Sequence, residues 1–94
     1  DHVSMGSISA RKVRDIVKNV ENILAIEFIT AAQAVDMRCD DPLENLGNGT
    51  KTIYQTIRER VLELKEDRVL YTEVQDVQKL IHHNNLLNKL DNLI

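Results

Sequence analysis

The sequence is poor in the residues that interrupt helices and in those that cross-link or fill a core. It contains one proline, three glycines and one cysteine, and aromatic residues make up 3% of it, with no tryptophan. Because proline and glycine break helices, long stretches without either favour an all-helical chain and disfavour β structure. The core must therefore be built from isoleucine, leucine, valine and alanine.

The sequence also lacks a large excess of charge of either sign. The formal net charge is −3, and acidic and basic residues are interspersed along the chain. No basic tract creates a field that would attract phosphates, so we expect no nucleic-acid or anionic-membrane partner. The single cysteine, Cys39, cannot form an internal disulfide, and no leader pattern precedes the first helical stretch, so a reducing cytoplasm is the expected location.

What the sequence does contain is one long helical pattern over residues 7–38. Its apolar residues recur at spacings of three and four, as expected for one face of a helix: Val13, Ile16, Val17, Val20, Ile23, Leu24, Phe28, Ala31 and Val35. Between residues 23 and 37 polar residues are few, so apolar atoms surround most of the helix. The stretch is too short and too polar to span a bilayer. We therefore predict a central helix packed on several sides by other helices.

The predicted helix is too long for its own domain. About 30 helical residues make a rod of about 45 Å, whereas a compact chain of this size has a radius of gyration near ~12 Å. Either the rod kinks, near Lys18-Asn19, or its apolar half is covered by protein outside this sequence. We favour the second interpretation.

The remainder is predicted as a loop over residues 39–51 and two or three shorter helices within residues 52–94. Thr52-Ile53-Tyr54-Gln55 and Thr72-Glu73-Val74-Gln75 each match the capping box that opens a helix. The apolar faces predicted for these helices contain Ile53, Ile57, Val61 and Leu64 in the first and Val74, Val77 and Ile81 in the second.

Few residues suggest chemistry. Asp1, His2 and Ser4 are too close in sequence to form a Ser-His-Asp triad, whose members come from separate parts of a fold, so a helix-start role is the simpler interpretation. His82 and His83 point about 100° apart on a helix and have no ligand pattern around them, so no metal site is predicted.

Glu27 is the one ionisable residue predicted to be buried. It falls on the apolar stripe between Ile23 and Ala31, where a carboxylate needs hydrogen bonds or a cationic partner. Buried acids can mark functional sites, but we favour a structural ion pair with an arginine or lysine of another helix or subunit.

Several stretches resemble the aromatic amino acid ammonia-lyase family. "DHVSMGSISARKVRDIVKNVENILAIEFITAAQAVDMR" is similar to the family's long central helix, and "DHVSM" is most similar to its histidine-specific branch. The resemblance continues through "PLENLGNGT" and "EDRVLYTEV" and covers about residues 1 to 81.

This resemblance implies an all-helical homotetramer that removes ammonia from L-histidine to give trans-urocanate. It implies an electrophilic methylidene-imidazolone ring formed from an internal Ala-Ser-Gly, and a Gln-Glu pair immediately before Asp1. The sequence contains no Ala-Ser-Gly. Residues 1–94 are therefore expected to be a C-terminal helical segment of such a lyase, inactive alone and partnered by the remaining polypeptide and the other subunits.

Only three residues carry over from the family's pocket. Asp1, His2 and Ser4 match the segment that lines or braces the edge of the active site, so they are expected to be active-site neighbours; no residue of this chain is expected to be catalytic. Two alternatives stay open: a freestanding helical protein-interaction module, and the same segment of a phenylalanine or tyrosine ammonia-lyase.

Overall fold

The structure, a computed structural model, describes the backbone of residues 2–93 and the side chains of residues 5–93. Within that range it contains helices and no strand. The helices are α1 (His2–Arg38), α2 (Pro42–Asn45), α3 (Asn48–Arg60), α4 (Tyr71–His82) and α5 (Asn85–Asp91). The prediction of an all-α chain with one long helix followed by shorter ones is confirmed.

Helix α1 dominates the molecule. Its 37 residues make a rod of about 55 Å, close to the longest dimension of the chain, 60 Å. It begins five residues before the predicted start at residue 7 and ends at the predicted Arg38. The helix cannot continue far beyond Arg38, because a residue that precedes proline, here Asp41, is disfavoured in the helical conformation and adopts φ −131° and ψ 88°.

The core lies between the C-terminal half of α1 and helices α3 and α4. From α1 it takes Ala25, Ile29 and Ala32, and from the other two helices and their ends it takes Ile57, Val61 and Val77. The alanines let the helix backbones approach closely, and the branched side chains fill the space between them. Of the apolar faces predicted for α3 and α4, Ile57, Val61 and Val77 are confirmed, since each is at most 1% exposed. Leu64 does not lie on α3, because the helix ends at Arg60.

The N-terminal half of α1 projects beyond this core. Every side chain from residue 5 to residue 20 is exposed, and the radius of gyration is 16.6 Å rather than the ~12 Å of a compact chain. The helix runs without a break through Lys18-Asn19, so the alternative of a kink there is wrong. The half that projects is the N-terminal one, not the apolar half at residues 23–37 for which an outside partner was predicted. Only one face of residues 23–37 is covered by this chain, not several.

The connection between α1 and α3 is shorter than predicted. Helix α2 and the first turn of α3 both lie inside the predicted 39–51 loop. Gly47 is the N-cap of α3, with no side-chain cap, and the Thr52 hydroxyl donates to the Asn48 carbonyl at 2.9 Å from inside the helix. The predicted capping box at Thr52 is therefore wrong, because the helix begins four residues earlier.

Helix α4 begins at Tyr71, within one residue of the predicted position, but its capping box is also wrong. The N-cap is Leu70, and no side chain caps the helix. Glu73, in the first turn of the helix, accepts hydrogen bonds from Arg68. Arg68 also donates to the Leu62 and Glu63 carbonyls, so it ties the 61–70 connection to α4.

The start of α5 is determined by Asn84, whose backbone has the left-handed conformation. Asn84 has φ 59°, a conformation that asparagine tolerates better than most residues, so the Asn84-Asn85 pair interrupts the helical stretch. Leu86 then becomes buried, whereas Leu87 is exposed.

Candidate functional site

Glu27 lies on the side of α1 that faces away from the core. The core residues of this helix, Ala25, Ile29 and Ala32, follow one line along it, and Glu27 lies well round the helix from that line at about 100° per residue. Its side chain is exposed. The prediction of a buried Glu27 is therefore wrong for this chain, because the covered face of α1 is the opposite one.

The residues beside Glu27 form a second, uncovered face. We call it the outward face; its residues are spaced by three or four positions and all are exposed: Met5, Ser9, Lys12, Ile16, Val20, Ile23, Glu27, Thr30 and Ala34. Ile16, Val20 and Ile23 are 60%, 49% and 57% exposed. Lys12 and Glu27 are its two charged residues. A helix with apolar residues on two opposite sides needs a partner on each side, and this chain supplies one.

Glu21, rather than Glu27, is a buried carboxylate of α1. It lies where α1 leaves the core, with a side chain 10% exposed. Gln78 Nε2 donates to Glu21 Oε2 at 3.1 Å, and His82 Nδ1 lies 3.1 Å from both carboxylate oxygens. Both partners belong to α4, so this cluster joins α1 to α4 at the edge of the core.

A second polar cluster fixes the other end of α1. Asp36, whose side chain is 7% exposed, accepts hydrogen bonds from the Tyr54 hydroxyl and from Arg58 Nη2, and the Arg58 side chain is 14% exposed. Arg58 Nη1 also donates to the Val61 carbonyl at 3.1 Å. Partial burial, and next the hydrogen bond to Asp36, raise the pKa of the Tyr54 hydroxyl above 10.0.

Gln33 binds the connection between α3 and α4. Its Nε2 donates to the Leu64 carbonyl at 3.0 Å, and the Leu64 N–H donates to Gln33 Oε1 at 3.0 Å. Both backbone groups of one non-helical residue are thereby satisfied by a single side chain, as a neighbouring strand would satisfy them. Together with the Asp36 cluster, this contact sets where the connection crosses α1.

A cavity of about 960 Å³ lies between the end of α1, α2 and α3. Asp36, Tyr54 and Arg58 lie in its wall, and its other charged lining residues are all acidic: Asp40, Asp41, Glu59 and Glu63. The carboxylate of Asp36 already binds Arg58, so the remaining acidic residues give the cavity lining a net negative charge.

The residues predicted as active-site neighbours are Asp1, His2 and Ser4. Asp1 lies outside the described residues, and so do the side chains of His2 and Ser4, whose backbones belong to α1. Their proposed role at a pocket edge stays a prediction. Among the residues that the structure describes, no group of three or more His, Cys, Asp or Glu could hold a metal ion, and no helix is long and apolar enough to cross a membrane.

The two polar clusters were missed by sequence reasoning, although a signal existed. Glu21 and Asp36 lie on the same helical line as Ala25, Ile29 and Ala32, at spacings of three and four. The larger and more hydrophobic residues on the opposite side drew the prediction to the wrong face. A line of small residues bounded by two acids is the pattern that marks the packed side here.

The sequence of this chain is similar to those of known lyases. The family model for aromatic amino acid lyases matches residues 1–59. Histidine ammonia-lyase of Treponema denticola is 40% identical over 98% of this chain, and that of Natranaerobius thermophilus is 44% identical over the whole chain; in each case the match covers 18% of the relative. That of Caldanaerobacter subterraneus is 50% identical over 79% of the chain and 14% of the relative.

The chain spans about 18% of the length of the curated relatives it matches, and no solved structure matches it at comparable significance. The matched residues 1–59 include all of α1, with its outward face, and all but the last residue of α3. A match to more than half of the chain, over the helices that build both the core and the uncovered face, shows that the chain belongs to the aromatic amino acid lyase family.

Proposed function

We propose that this chain is the C-terminal scaffold and assembly segment of a histidine ammonia-lyase. The intact enzyme would eliminate ammonia from L-histidine to give trans-urocanate, and the chain itself would support the active site without reacting. The histidine ammonia-lyases that match it over most or all of its length support this choice of substrate.

The observation that carries the proposal is the uncovered half of α1. In the projecting helix, Ile16, Val20 and Ile23 are about half exposed or more. Contact between this apolar surface and water is unfavourable unless other protein covers it. The rest of the lyase and its other subunits, most simply in a homotetramer, would provide that cover. Rigid, closely packed helices are the kind of support that a lyase needs to hold reacting groups in position.

The family's methylidene-imidazolone group cannot be formed by this chain, because its sequence contains no Ala-Ser-Gly. When present in the intact enzyme, that group would supply the electrophile that makes the amine a leaving group. What this chain contributes is position: the Glu21 and Asp36 clusters fix α1 on α3 and α4. Asp1, His2 and Ser4 would lie near the pocket edge.

The test is an assay of two samples. The purified 94-residue chain, with no other polypeptide, should form no urocanate from L-histidine; detectable turnover would overturn its assignment as a scaffold. The intact enzyme should prefer L-histidine to L-phenylalanine and L-tyrosine. A preference for either of the latter would keep the family and change the substrate.

The uncovered face also suits a freestanding interaction module, which is the competing function. The upstream reading frame distinguishes the two. A Gln-Glu pair directly before Asp1, with an Ala-Ser-Gly farther upstream, supports the lyase, whereas a start near Met5 supports the module. We place the protein in a reducing cytoplasm, because Cys39 is a free thiol.

A further inference from the structure

The charged and apolar residues of the outward face of α1 indicate which partner fits it. Of its nine residues, Lys12 and Glu27 are the charged ones, and both are exposed. They are of opposite sign and lie in opposite halves of the helix, with Ile16, Val20 and Ile23 between them. A partner helix must offer an anion near Lys12, a cation near Glu27 and apolar groups in the middle.

A second copy of the same helix, running in the opposite direction, offers that arrangement. With a two-fold axis between residues 19 and 20, Lys12 lies opposite Glu27 of the second copy and Ile16 lies opposite its Ile23. The two copies of Val20 meet beside the axis, and Met5 lies opposite Ala34, a large residue against a small one. The three- and four-residue spacing of the face is the spacing by which paired helices interdigitate.

The parallel arrangement is disfavoured by the same residues. In register, it would place Glu27 against Glu27 and Lys12 against Lys12, and like charges at a helix interface oppose pairing. The core does not obstruct the antiparallel pair, because Ala25, Ile29 and Ala32 lie on the other side of α1.

We propose that a second copy of this chain packs antiparallel on the outward face of α1, with two Lys12–Glu27 ion pairs flanking a centre of Ile16, Val20 and Ile23. This inference rests on the proposed assembly role and deepens it, because it names the partner, the direction and the register. Glu27 then sets the register of the pair, and the carboxylate that is exposed in one chain is paired in two.

The test is a charge exchange measured by sedimentation of the 94-residue chain. The unchanged chain should form dimers, Glu27→Lys and Lys12→Glu should each weaken self-association by about tenfold or more, and the double variant should restore it. Arg14→Glu, an exposed charge on the opposite side of the same segment, is the matched control and should leave association unchanged. Helicity measured by circular dichroism would show that each variant is folded.

Cys39, the one thiol of the chain, directly follows α1 and reports its direction. Fluorescent labels on Cys39 should lie about 60 Å apart in the antiparallel dimer and close together in a parallel one. A chain that stays monomeric, a double variant without rescue, or closely spaced labels would each overturn the proposal. None of these measurements involves turnover, so a dimer from an enzyme that makes no urocanate would refute only the lyase function.

Discussion

Two glutamates on one helix show how much depends on which way a side chain points. Glu21 is buried and binds Gln78 and His82, whereas the side chain of Glu27 is exposed. The sequence marks both as acids within an apolar stretch. Their different environments follow from the position of α4, which packs on one side of α1 only.

Substituting each glutamate by alanine should separate these environments. Glu21→Ala removes the shared acceptor of two side chains and should lower the free energy of unfolding by about 1–3 kcal/mol. Glu27→Ala, at protein concentrations low enough to keep the chain monomeric, should change it by less than about 0.5 kcal/mol. Urea titrations of the two variants measure both values, and equal losses would contradict the assignment of Glu21 as the packed acid.

Tyr54 should make stability depend on pH at the alkaline end. Its folded pKa is raised above 10.0 by burial and by the bond to Asp36, so the folded state holds the phenolic proton more tightly than the unfolded state. The resulting stabilisation is complete below pH 10.0 and is lost as the pH rises through the folded pKa. The free energy of unfolding should therefore fall less in the Tyr54→Phe variant than in the unchanged chain when the pH is raised from neutral to alkaline. Urea unfolding at each pH measures this difference. A parallel decline of both proteins would place the alkaline sensitivity elsewhere.

At the scale of the element, helix identity was predictable and helix starts were not. The absence of glycine and proline between Ser7 and Asp41 determined α1 almost completely. The starts of α3 and α4 were misjudged by one to four residues because a Thr-x-x-Gln pattern resembles a capping box wherever it occurs. Whether the pattern caps a helix depends on backbone angles that the sequence pattern does not specify.

The start of α3 gives a direct comparison between the predicted cap and the observed one. Gly47→Ser should stabilise the chain by about 0.5 kcal/mol, because the N-cap backbone is extended, a Cβ there meets nothing within 4 Å, and a hydroxyl can accept from the first turn. Thr52→Ala should not have the effect of losing a cap, since Thr52 lies inside the helix. Thermal unfolding of both variants is the measurement; a large loss in Thr52→Ala would favour the predicted capping box.

At the scale of the whole molecule, the radius of gyration and the longest dimension express one fact, that the core supports only the second half of α1. Helix length alone predicted that part of the rod stays uncovered, because a rod of that length cannot be wrapped by so short a chain. The prediction placed the uncovered part in residues 23–37, whereas the projecting half is residues 5–20. Which face remains uncovered was not predicted. Both sides of residues 23–37 are apolar, and the line of small residues between Glu21 and Asp36 that marks the packed side is a weaker signal than the large apolar residues opposite it.

Hydrogen exchange should show the same division. In dilute solution the amides of residues 5–20, which no other helix covers, should exchange faster than those around Ala25, Ile29 and Ala32, which lie in the core. Raising the protein concentration should slow the first group more than the second if the outward face pairs with a second copy. Uniform protection along α1 in dilute solution would mean that the projecting half is stabilised by something within the chain.

The two opposite faces of α1 make folding and assembly separately accessible to mutation. Replacing Ile16 or Ile23 by a polar residue alters a surface that the folded monomer does not use, whereas replacing Ile29 alters the core. A well-folded but solitary version of this segment is therefore obtainable by redesign of the outward face alone. Such a version could be added to an intact lyase as a competitor that displaces one copy from its neighbours.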